Sequence, residues 1–187
     1  MAVKTFTTGE VLTAADTNTY LANSGLVYIT ATTFTASSSI SVNSCFTSTY
    51  QNYLVIISCT GTANTNVNMK LRASGTDKSA NYKWGSFYLD MDSGTPSVIG
   101  ESSGGAITAG FRAGVMNTSG ITTAFVQVGN PNGNGRTTAL SQPQASEAYF
   151  RLMNSYHAED YVADGFTIIP SSGTLTGNVR VYGYRQA

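Results

Sequence analysis

His157 is the only histidine of the chain, and Glu159 and Asp160 follow it in the run YHAED. On a strand, His157 and Glu159 would share a face, the start of a metal site. No third ligand is supplied locally, and a lone polar histidine near a strand end reads more simply as solvated. Asp90 and Asp92, in LDMDSGT, likewise share a strand face just before a turn. Paired carboxylates can bind calcium or divide the acid and base roles of glycoside hydrolysis. Only Ser93 and Thr95 follow as further oxygen donors, so the pair reads as a charged edge that discourages strand addition.

Nucleophilic chemistry finds no footing either. There is no G-x-S-x-G elbow for a serine hydrolase. Cys45 or Cys59 with His157 would make a thiol dyad, but nothing around either cysteine activates a thiolate. ESSGGA (101–106) lacks the Gly-Lys-Ser/Thr ending and the helix of a phosphate loop. The sequence predicts no catalytic residue, no metal site and no cofactor. What remains is aromatic: Trp84 and Tyr88, with Phe87 between them and Tyr82 nearby, would form a sugar-stacking platform if exposed. Alternation places Trp84, Ser86 and Tyr88 on one face and Phe87 and Leu89 on the other, so one of the two sets is expected in the core.

The elements that would hold these residues fall into two kinds. Phe6 to Asn23 is the one convincing helical stretch. Thr13 suits an N-cap, and Asp16 three residues on completes a capping-box-like arrangement that also favours the helix dipole. Asn23-Ser24-Gly25 stops the helix. A helix this short is not stable alone in water, so it must dock on the body or on a partner. From Gly25 onward the chain reads as short strands between turns. NYLVIISC is nearly continuously apolar, as a buried strand is. NMKLRAS alternates, with Met69, Leu71 and Ala73 opposite Lys70 and Arg72. NPNGNG (130–135) is a strong turn signal. EAYFRLMNSYHAED is ambiguous in period, and its aromatics and its strand neighbours favour a strand. In the last run, Val179, Val181 and Gly183 oppose Arg180, Tyr182 and Tyr184. About ten short strands, with no interleaved helix and no repeat period, predict an all-β fold: an antiparallel sandwich or barrel over residues 25–187, with residues 1–24 as an appended arm.

Composition agrees with strands. Of 187 residues, 47 are Ser or Thr and only 20 are charged, with 11 Tyr and 8 Phe. So few charges leave little repulsion between copies and suit a surface buried against other subunits. Net charge is zero and the basic residues are scattered, so no footprint for nucleic acid or for an anionic membrane is expected. No apolar window is long enough to span a bilayer, and no secretory signal is read at the N-terminus. A cytoplasmic site of synthesis follows as the expectation, and with it two reduced, buried thiols rather than a Cys45–Cys59 bridge.

Two sets of residues carry a resemblance. The opening FTTGEVLTAADTNTYLAN resembles an N-terminal segment of tailed-bacteriophage structural proteins, roughly F-x-x-G-x-V-L-T-A-x-D-x-N-x-Y-L. Phe6, Gly9, Val11, Leu12, Thr13, Ala14, Asp16, Asn18, Tyr20 and Leu21 fit it, while Thr17 stands where the family usually has an apolar residue. The blocks YQNYLVIIS, MKLRASGTDKSANY and GFTIIPSSGTLTGNVRVYGYR are similar to blocks of phage virion proteins. The resemblance implies a non-enzymatic virion protein, assembled in the host cytoplasm, with a jelly-roll-like body and a homotrimeric state. Its N-terminal segment would insert into another phage structural protein of the tail, the portal region or the capsid. A tail- or fibre-associated subunit is the leading expectation. An outer capsid decoration protein and a carbohydrate-binding module for host surface glycans are the alternatives.

Overall fold

A computed structural model of the chain describes residues 7–16, 25–101, 109–144 and 149–185. Among these, one helical turn, α1 (Ala14–Asp16), precedes thirteen strands. They are β1 (Leu26–Ser37), β2 (Ile40–Val42), β3 (Asn52–Gly61), β4 (Thr65–Ala73), β5 (Thr76–Asp77), β6 (Tyr82–Asp90) and β7 (Pro96–Glu101). Then come β8 (Phe111–Met116), β9 (Thr122–Gly129), β10 (Arg136–Gln144), β11 (Tyr149–Asp160), β12 (Gly165–Pro170) and β13 (Leu175–Tyr184).

The strands form two antiparallel sheets in a sandwich-like arrangement, as the sequence predicts. The larger has eight strands in the order β1-β13-β3-β9-β10-β11-β6-β7. The smaller runs β2-β12-β4-β5, with β8 paired to β4 as well. Alternating residues explain how they close. Tyr53, Val55 and Ile57 of β3, Ala124 and Val126 of β9, and Val179 and Val181 of β13 are fully buried. They share one continuous cluster with Val67, Met69 and Leu71 of β4 and with Phe166 and Ile168 of β12. A sheet whose apolar side chains alternate can bury one face only, and here each sheet covers the other. The hydroxyl of Ser141 on β10 donates to the Ala113 carbonyl of β8, a polar tie between the two layers.

Three readings are sharpened. The ambiguous run 149–160 is strand throughout, paired along nine residues with β6. Strand number exceeds ten partly because Thr76–Asp77 is too short to show any period. The turn at NPNGNG joins β9 to β10, with Asn130 (φ 55°) and Gly135 (φ 114°) in the left-handed region that Asn and Gly tolerate. Asn132 of this turn donates to the carbonyls of Ala163 (2.9 Å) and Phe46 (3.3 Å), fastening two other loops to it.

Of the expected helix, the described residues carry only α1, whose cap forms as the sequence implies. Asp16 N–H donates to Thr13 Oγ1 (3.1 Å), and Thr13 N–H donates to Asp16 Oδ2 (3.2 Å). Just before it, Gly9 adopts φ 88° in a turn where Glu10 N–H donates to the Thr7 carbonyl, 3.0 Å away. Phe6, Asn18, Tyr20 and Leu21 of the expected anchor lie outside the described residues.

Candidate functional site

The residues singled out for chemistry are used structurally. His157 is fully buried on β11, not solvated as a strand-end histidine is expected to be. Its Nδ1 lies 2.8 Å from the Glu159 carbonyl and its Nε2 3.0 Å from the Ala80 carbonyl, so the ring pins the loop before β6 to the end of β11. Tyr82 meets it edge-on at 5.1 Å. Glu159 does not join it as a ligand: its carboxylate is exposed and pairs with Lys78 at 3.1 Å, which holds it below the usual carboxylate range. Among the described residues no three His, Cys, Asp or Glu side chains are grouped as a metal site.

Asp90 and Asp92 do not work as a pair either. Asp90 Oδ1 accepts the backbone N–H of Asp92 (3.0 Å) and of Ser93 (3.3 Å), the Asx-turn pattern that closes the β6–β7 connection. The Ser93 bonds draw its pKa down. Cys45 and Cys59 are both free and buried. Burial pushes their thiols up to about 12 and about 11, away from any nucleophilic role.

The aromatic expectation is corrected by burial. Trp84 faces the inside, only 9% exposed, with the Arg112 guanidinium 4.4 Å from its ring centre. Tyr88 shares that face, half-buried, and Arg151, its cross-strand partner on β11, lies 5.5 Å from its ring centre. The split of Trp84 and Tyr88 from Phe87 is as predicted, but it turns Trp84 inward, so the pair makes no open stacking platform.

A concavity lies elsewhere, on the outward face of the large sheet. Two rows of residues cross its middle strands in register. Leu54, Gln127, Leu140 and Asn154 stand side by side on β3, β9, β10 and β11. Beside them run Asn52, Gly129, Thr138 and Tyr156 on the same four strands. A depression of about 710 Å³ opens here, within the ~300–1,000 Å³ typical of ligand sites. Asn52, Gln127, Thr138, Asn154 and Tyr184 contribute side chains, and Gly129 gives the floor. A Cβ at Gly129 would sit 2.8 Å from Thr138 Oγ1 and 3.4 Å from Asn52 Oδ1, so any other residue would crowd the floor. No lining residue carries a formal charge at neutral pH, and Asn52, Gln127, Thr138 and Asn154 make no side-chain hydrogen bond to another described residue.

No family model, curated protein or solved structure matches the chain.

This depression was missed by reading motifs, because its residues come from five strands, β3, β9, β10, β11 and β13, each giving only one to three of them. The only signal available was alternation: Gln127, Asn154 and Thr138 each fall on the outward phase of their strands. Register alone brings them together. Among the described residues no helix is long and apolar enough to cross a membrane.

Proposed function

We propose that the chain is a non-enzymatic structural protein of a phage virion, a tail- or fibre-associated subunit joined to the particle through its N-terminal segment. The observation that carries the reading is the state of the described arm. Its turn is pre-set by the reciprocal Thr13–Asp16 cap, yet Val11 and Leu12 beside it are 78% and 50% exposed. An ordered turn that presents apolar side chains to solvent is suited to burial in a partner, because the ordering entropy is met beforehand and the apolar area is still to be gained. Phe6, Gly9, Asn18, Tyr20 and Leu21 complete that anchor in the resemblance. The β body supports a structural role in a second way: its histidine, cysteines and Asp90 are all engaged in holding the fold. A homotrimer is the assembly proposed.

The test is incorporation. Protein lacking residues 1–24 is expected to keep the β-rich circular dichroism of the body and to be missing from purified particles. Normal incorporation of the truncated protein would refute the anchor. Copy number per virion, by quantitative mass spectrometry against the major capsid protein, separates the tail reading from outer capsid decoration: a few to a few dozen copies against hundreds.

A further inference from the structure

The geometry points to a binding site for a neutral oligosaccharide in the depression on the outward face of the large sheet. This goes beyond the virion reading and does not rest on it. The first argument is charge. The lining itself holds no Lys, Arg, His, Asp or Glu, so a charged ligand meets no counter-charge within it. Arg136, 5.6 Å from the ring centre of Tyr156, only flanks the end of the second row. The ligand class that fits is uncharged.

The second argument is the kind of polar group. Asn52, Gln127 and Asn154 each present a carbonyl acceptor and two N–H donors, and Thr138 adds a hydroxyl that does both. Vicinal hydroxyls of a sugar also donate and accept together, so a side-chain amide can bond two neighbouring hydroxyls in complementary fashion. None of these four side chains spends this capacity on another described residue. They stand ready for a partner rather than filling one another.

Shape is the third argument. Leu140 and the ring of Tyr184 give the depression apolar surface beside the amides, as the C–H face of a pyranose ring requires. At Gly129 the side-chain oxygens of Thr138 and Asn52 close over the backbone, so these oxygens are what the ring meets there. The row Asn52–Gly129–Thr138–Tyr156 spans four strands, about 14 Å at the usual strand spacing, and it is open to solvent. An open trough of that width admits a chain of sugars passing through it.

Binding of the full-length protein to an array of neutral, amino and acidic glycans tests this. Retention on neutral hexose oligomers is expected, with weak or no retention on sialylated and uronic-acid glycans. In Gln127→Ala/Asn154→Ala the affinity for the retained oligosaccharide should fall about tenfold or more, the loss of a few neutral hydrogen bonds. Both positions are exposed, so the melting temperature should stay put. As a readout that needs no variant, titration of the wild type with that oligosaccharide should shift the side-chain amide NMR signals of Asn52, Gln127 and Asn154. Absence of any neutral hit, retention of acidic glycans only, or unchanged binding in the double variant each overturns the site. A protein that joins particles but holds no neutral glycan sinks this inference alone. One that holds such a glycan but never joins a particle sinks the virion reading alone.

Discussion

The guanidinium of Arg112 on β8 lies 4.4 Å from the ring centre of Trp84 on β6, a contact that crosses from the small sheet to the large one. It explains why the only tryptophan of the chain is 9% exposed. A cation over an indole face, shielded from water, is worth about 1–2 kcal/mol beyond the area it covers.

Trp84→Ala is therefore expected to act on stability and not on ligand recognition. Removing a buried tryptophan side chain should lower the unfolding free energy by about 3–5 kcal/mol, read as a drop in urea midpoint. Glycan retention per folded molecule should match the wild type. A Trp84→Ala protein that is as stable as the wild type but has lost glycan binding would put the site on β6 instead.

The thiols supply a second expectation. Burial raises Cys45 to about 12 and Cys59 to about 11, and only the thiolate reacts with an alkylating agent. Iodoacetamide at pH 8 should leave the native protein unlabelled and should label both cysteines once denaturant is added. Prompt labelling of either in the native state, seen as a mass increase, would contradict its placement in the core.

Acid should weaken the fold through two surface carboxylates. Glu159 is drawn down chiefly by its hydrogen bond to Lys78, and Asp90 chiefly by Ser93, so each is a stronger acid folded than unfolded. Such groups stabilise the fold above their ordinary values of 4.5 and 3.8, and the contribution disappears as pH falls through the lowered ones. Urea midpoints measured from pH 6 to pH 2 should fall over that window, and less steeply in Glu159→Gln/Asp90→Asn. An equal slope in both proteins would assign acid sensitivity to other groups.

The fold was legible where burial follows alternation. Met69 and Leu71 read as inward from NMKLRAS, Val179 and Val181 from NVRVYGY, and all four are fully buried. The Thr13–Asp16 cap was legible because capping is local, fixed by two residues three apart. His157 was misread as solvated because the carbonyl of Ala80, which meets its Nε2, is brought there by a cross-strand pairing with Tyr82 that no local pattern announces. Trp84 shows the same limit. Alternation split its face from that of Phe87 and left open which face would be covered, and the answer came from Arg112 on a strand of the other sheet. The depression is the extreme case, since Asn52, Gln127, Thr138 and Asn154 meet only through strand register.

Strand order also decides how the body carries load. Among the described residues β1 joins the large sheet through β13 alone, and β13 is held on its other side by β3. Gly25, just before β1, is bonded through its carbonyl to the N–H of Arg185 at 3.1 Å, and the registered pairs run from Leu26↔Tyr184 to Ser37↔Leu175. Tension applied at Gly25 along the axis of β1 slides one strand against the other, so the bonds of the whole overlap strain together rather than breaking in turn. β1 and β13 overlap as a lap joint, twelve residues long on the β1 side.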